Sequence, residues 1–179
     1  MKKAVIAAAA LLPGSLAIYT LAARHLGAVT PPAMAAPGLR ADLVLVNKTG
    51  RSMQLHRNGR IMREYRISLG SHPIGHKQRE RDKRTPEGLY VIDGRNSKSS
   101  AYLSLHISYP MPADVLRATA AGQAPGGNIM IHGLANGWGF VGSLHLLWDW
   151  TDGCIAVTND EMREIWSLVP DGTPIKIDG

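Results

Sequence analysis

A single cysteine, Cys154, occurs in the 179 residues, and its isolation excludes several architectures. No internal disulfide can form, and no cluster of thiolates is available for structural zinc. His132, His145 and Asp149 are also ligand types, but with one cysteine and no short ligand spacing, neither a metal nor any other cofactor is expected. Internal repeats are missing, and low-complexity sequence is confined to an alanine-rich leader, so a repeat architecture is not expected. Charge is absent between Ala4 and Ala23.

That uncharged run follows Lys2 and Lys3, and Ala33-Met34-Ala35 supplies the small residues that signal peptidase cuts after. Its twenty residues, at ~1.5 Å each, suffice to cross a ~30 Å hydrocarbon core, although Pro13 and Gly14 interrupt it. Residues 1–35 therefore read as a cleaved signal peptide or as an uncleaved N-terminal anchor with Lys2 and Lys3 in the cytoplasm. Either exports the rest to the periplasm or cell envelope, with membrane contact only through this segment if it is kept. Without it the chain loses three cations and no acid, and net charge falls from +6 to +3. That balance suits a polyanionic envelope and is too small to imply nucleic acid. Residues 36–40 read as a linker, and 41–179 are the size of one domain with its own core.

This domain reads as mainly β with two short helices. Strands are expected over Asp42–Val46, Ser52–His56, Arg60–Leu69, Leu89–Asp93, Ala101–Ser108, Asn128–His132 and Pro174–Ile177, and Cys154–Val157 reads as another or as a strand-to-helix corner. Asn58-Gly59 is a hairpin signal. Residues Gly70–Arg84 lack periodicity and read as a loop. One helix is expected over Pro112–Ala121, with proline in its first turn. Another starts at Thr158, where Thr158 and Glu161 have capping-box spacing, and runs to about Val169.

Gly153 allows a tight backbone turn before Cys154 and leaves N–H groups free for an oxyanion. His132 ends an apolar strand twenty-two positions earlier and is placed to act as the base of a thiol nucleophile. His145 is a candidate to assist or replace it, or else structural, and His106, alternating with apolar residues, reads as a hydrogen-bonded core histidine. Trp138, Trp148 and Trp150 crowd thirteen residues, either as core aromatics or as a cleft wall or lid.

The order Ile131-His132-Gly133, a spacer, then Thr151-Asp152-Gly153-Cys154 resembles the YkuD-type L,D-transpeptidase family, whose signature is histidine, spacer, Ser/Thr-His-Gly-Cys. Gly70, His72, Pro73, Gly75 and Lys77, then Arg84-Thr85-Pro86-Glu87-Gly88 and the closing Pro174–Ile177, resemble the same family. The likeness spans Asp42–Ile177. It implies a single β-sandwich-type domain in which Cys154 attacks a peptidoglycan stem peptide and His132 is the base. The backbone at Gly133 would orient the imidazole, and the Gly153 and Cys154 amides would hold the oxyanion. Asp152, Trp138, Trp150 and His145 would face substrate.

Three departures stand out. Asp152 replaces the family's second histidine and places a carboxylate beside the thiol, which tends to raise the thiol's pKa. The spacer between His132 and Thr151 holds eighteen residues, slightly more than is usual. Arg81, in a stretch from His76 to Arg84 with five Lys/Arg and two acids, stands where the family commonly has glycine. That stretch reads as a solvated loop or as a rim for anionic cell-wall material. The resemblance implies a thioester passed to an amine, with envelope proteins among the candidate acceptors. Its alternatives are an L,D-carboxypeptidase or hydrolase of a stem or protein–peptidoglycan bond, and a non-catalytic wall-binding module.

Overall fold

The computed structural model describes residues 18, 19, 22 and 29–179. The expected leader lies mostly outside them, and among the described residues no helix is long and apolar enough to cross a membrane. The expected linker holds a short 3-10 turn, Pro37–Leu39. Just before it, the Ala35 N–H donates to Ser167 O at 2.9 Å, so this stretch lies against the domain.

Eight strands form one continuous order, β3-β2-β1-β8-β4-β5-β6-β7. They are β1 (Leu43–Asn47), β2 (Ser52–Arg57), β3 (Arg60–Arg66), β4 (Gly88–Ser99), β5 (Tyr102–Ile107), β6 (Met130–His132), β7 (Ile155–Ala156) and β8 (Pro174–Asp178). Alternation decides which face is buried. Val44 and Val46, Met53 and Leu55, Leu103 and Leu105, and Ile175 and Ile177 all enter one core, while their neighbours along each strand do not. Asn58 and Gly59 both take positive φ, at 50° and 73°, the backbone a two-residue hairpin between β2 and β3 requires.

Strand β4 is longer than its sequence suggests. Gly88–Val91 pair with β8, and from Ile92, with a bulge before Gly94, the strand pairs with β5 instead. A strand that changes partner at a bulge joins the two halves of a sandwich-type fold. Its second half, Arg95–Ser99, is polar and held by ladder hydrogen bonds rather than by burial, so no apolar alternation announces it. The expected strand Arg60–Leu69 is divided for a related reason. After Arg66 the chain leaves β2, and Ser68 bridges to Ala156 on β7, at the opposite end of the strand order.

Among the described residues two α-helices flank the sheet, α1 (Pro112–Ala120) and α2 (Asn159–Leu168). In α2 the Thr158 side chain accepts from the Glu161 N–H at 3.3 Å while Glu161 accepts from the Thr158 N–H at 2.8 Å. The helix buries Met162, Ile165 and Trp166 in the common core. Two short 3-10 turns, separated by a non-helical backbone at Gly142, occupy Gly139–Leu147 in the spacer that sequence patterning left unassigned.

Candidate active site

Strands β6 and β7 run parallel, with His132 opposite Ala156 and Ile131 opposite Ile155. Cys154 immediately precedes β7, so the pleat places its side chain on the same face as His132, one ladder repeat away. Ile131 and Ile155 point to the other face, into the core. Strand β5 puts Ser104 opposite His132, and the chain after β3 puts Ser68 opposite Ala156. This outer face is therefore a row of small and polar residues with one imidazole in it, which leaves room for the spacer to pack above.

The imidazole is fixed by its own neighbour. His132 Nδ1 lies 2.6 Å from the Gly133 carbonyl oxygen, so Nδ1 carries the proton and Nε2 the lone pair of the neutral ring. Burial lowers its pKa below the usual 6.5, opposed by the Gly133 hydrogen bond and assisted by His145. Gly133 itself packs on Asn159, since a Cβ there would come within 2.7 Å of Asn159 Oδ1. Asn159 Oδ1 also accepts from the Leu134 N–H at 2.9 Å, tying the start of the spacer to the first turn of α2.

Cys154 is partly exposed, and its thiol donates to the Asn128 carbonyl at 3.5 Å rather than to His132. Burial pushes the thiol pKa up. A hydrogen bond from the Met130 backbone opposes that, Asp152 adds to it, and Lys77 opposes it. The corner before the cysteine requires glycine. Gly153 has φ +126°, and a Cβ on it would meet the Arg84 carbonyl oxygen at 2.6 Å. Thr151 closes the turn, donating through Oγ1 to Cys154 O at 2.7 Å and accepting the Gly153 N–H at 3.1 Å. In this structure the Gly153 amide, expected to serve an oxyanion, is engaged by the Thr151 hydroxyl. Among the described residues no acceptor takes the Cys154 N–H, which remains available.

The spacer residues separate into distinct roles. Trp150 packs edge-on to both His132 and His145, with ring centroids 5.8 and 6.3 Å away. His145 is buried, and burial lowers its pKa. Its Nδ1 accepts from Trp150 Nε1 at 3.4 Å and lies 3.2 Å from Ser68 Oγ, leaving Nε2 buried without a partner. His145 therefore props the tryptophan that covers His132. Trp138 stacks on Phe140, and Trp138, Trp148 and Trp150 line an apolar cleft of about 330 Å³. Asp152 is exposed and lines a different cleft, of mixed charge, with Lys77, Glu80, Arg81 and Lys83. His106 is not a core residue: its side chain is 36% exposed and pairs with Asp93 at 2.5 Å.

Two supports had no sequence signal. Lys48, in the turn after β1, is 2% exposed and donates to Gly75 O, Thr85 O and Glu87 Oε1, clamping the loop after β3. Asp149 accepts from the Leu69 N–H at 2.9 Å and binds the Arg51 guanidinium at 2.7 Å, which fixes the end of the spacer. Among the described residues no three His, Cys, Asp or Glu side chains converge as a metal site.

The family model for the YkuD L,D-transpeptidase catalytic domain matches residues 41–177. The chain belongs to the YkuD L,D-transpeptidase family. A search of the curated proteins finds no match. Among solved structures, the helical cell shape determining protein Pgp2 of Campylobacter jejuni is similar at 22% identity and TM-score 0.58, over 90% of this chain and 54% of that one. Bd1075 of Bdellovibrio bacteriovorus matches at 22% identity and TM-score 0.54, over 86% and 53%. An L,D-transpeptidase of Mycobacterium smegmatis matches at 14% identity and TM-score 0.50, over 78% and 59%. At these identities the structures establish the fold, and this chain spans little more than half of each.

Proposed function

We propose that this YkuD domain is an exported cysteine acyl-transferase acting on peptidoglycan stem peptides. The observation that carries the proposal is the neutral, backbone-locked His132 on the same sheet face as Cys154, the chain's one thiol. The thiol leaves the Asn128 carbonyl and gives its proton to His132 Nε2. The sulfur attacks the carbonyl carbon of a stem-peptide bond, and the oxyanion takes the Cys154 N–H. Collapse expels the terminal D-residue as an amine that recovers the proton from His132, leaving a thioester on Cys154. An incoming amine then attacks the thioester, loses its proton to His132 and restores the thiol. Export rests on the uncharged run after Lys2 and Lys3, and the acceptors are another stem, a D-amino acid or an envelope protein's lysine.

Water is the second acceptor of the same thioester, giving an L,D-carboxypeptidase. The partial exposure of Cys154 favours this reading, because water needs access to the thioester. Incubating the protein with muropeptides, with and without an added D-amino acid, separates the two by mass spectrometry. Exchanged or dimeric stems identify the transferase, whereas trimmed stems alone identify the hydrolase. Unchanged muropeptides would overturn both.

A further inference from the structure

We propose that the surface basin walled by Arg79, Arg81, Arg84 and Arg117 is an oxyanion subsite that takes a carboxylate or phosphate group of the wall polymer away from the reacting carbonyl. The identity of the polymer rests on the function proposed above, while anion binding itself does not. The basin holds about 500 Å³ between the loop after β3 and the end of α1.

Its charge is one-sided. Asp82 is the only acid in the wall, and both its oxygens are committed. Oδ1 accepts from Lys77 Nζ at 2.8 Å and the Arg84 N–H at 3.1 Å, and Oδ2 from the N–H groups of Gln78 and Arg79 at 2.7 and 3.1 Å. This carboxylate frames the loop and is not free to neutralise the arginines. Arg117 shares Asp114 at 3.0 Å, and Arg81 reaches only Glu80 at 3.8 Å. Among the described residues Arg79 and Arg84 make no ion pair at all. Four arginines thus border one basin with no free carboxylate among its lining residues, and a guanidinium is suited to bind a carboxylate or phosphate in a planar, bidentate way.

The backbone supplies an independent observation. Arg81 and Lys83 have φ +61° and +58°, the left-handed region that side chains with a Cβ disfavour, on either side of Asp82. Glycine would sit there without strain, so the loop keeps cations where backbone geometry alone asks for none. Arg81 also lines the neighbouring cleft of about 360 Å³, together with Lys77, Glu80, Lys83 and Asp152. Asp152 precedes Gly153 and Cys154, and the Arg84 carbonyl packs on Gly153. A chain with its scissile bond at Cys154 can therefore pass Asp152 and reach the arginines across Arg81.

Calorimetric titration of the full-length protein tests this with two probes, tricarballylate for carboxylates and inorganic phosphate. Wild type should bind at least one, more weakly as salt rises, and Arg84→Gln and Arg81→Gly should each weaken binding about tenfold. Because Arg81→Gly relieves the positive φ, its melting temperature should hold or rise, which separates lost binding from lost folding. A preference for tricarballylate assigns the subsite to stem-peptide carboxylates, and a preference for phosphate to a phosphate-bearing polymer. Binding of neither probe, or binding unchanged in both variants, overturns the subsite. The outcome stands apart from turnover: an inert Cys154 with intact anion binding would sink the proposed chemistry and leave the subsite in place.

Discussion

At Cys154 two influences raise the thiol pKa, burial first and Asp152 after it, while the Met130 N–H and Lys77 hold it down. Removing the carboxylate with Asp152→Asn should therefore lower the pH at which an alkylating probe reacts with Cys154. The change should be modest, since burial remains. A titration that does not move, measured as alkylation rate against pH, would reduce Asp152 to a turn residue. The two histidines differ more sharply. His132→Ala should cost ~10²–10⁴-fold in acylation rate if the ring is the general base. His145→Ala should cost far less, because its imidazole contacts Trp150 and Ser68 rather than the reacting groups. The reverse ranking in single-turnover acylation would move the base to His145. The candidate pair, Cys154 and His132, was legible in the sequence because their residue types and flanking glycines are local features. The engagement of the Gly153 N–H was not, since it depends on where Thr151 Oγ1 points.

At the scale of elements, local chemistry was read well where it is self-contained and poorly where long-range pairing decides. The Thr158–Glu161 box and the Asn58-Gly59 turn appear as their spacing implies. The extension of β4 through Arg95–Ser99 depends on β5, and the split after Arg66 depends on β7, so neither leaves a periodic trace. Lys48 and Asp149 belong with these, each joining segments remote in sequence. The Arg51–Asp149 pair and the Leu69 N–H hold the spacer's end to the sheet, partly shielded from water. Asp149→Ala should cost roughly 2–3 kcal/mol, the scale of charge-assisted hydrogen bonds left unmade. In urea unfolding, adding Arg51→Ala to that variant should cost little more, because the interaction is already gone. Full additivity would show that the pair is not coupled.

For the whole molecule, the buried neutral histidines link stability to pH. The pKa values of His132 and His145 are lowered by burial, so below about 6.5 the unfolded chain takes up protons that the native chain refuses. Their contribution is complete above that pH and is lost as pH falls toward their folded values. Asp82, whose pKa lies below the usual 3.8 because hydrogen bonds from Lys77 and the backbone outweigh its burial, adds a separate loss at lower pH. Urea midpoints should therefore decline between about pH 7 and pH 5. A flat profile over that range would mean the imidazoles are protonated as readily in the native state as in the unfolded chain.

The central claim is that Cys154 carries the acyl group, and intact-mass spectrometry of the protein mixed with a stem tetrapeptide tests it most directly. The account predicts an adduct of the peptide less its terminal D-residue, mapped to Cys154 and absent from Cys154→Ala, which should also lose all turnover while remaining folded. An adduct on another residue, or a folded Cys154→Ala protein that still processes stems near the wild-type rate, would contradict it.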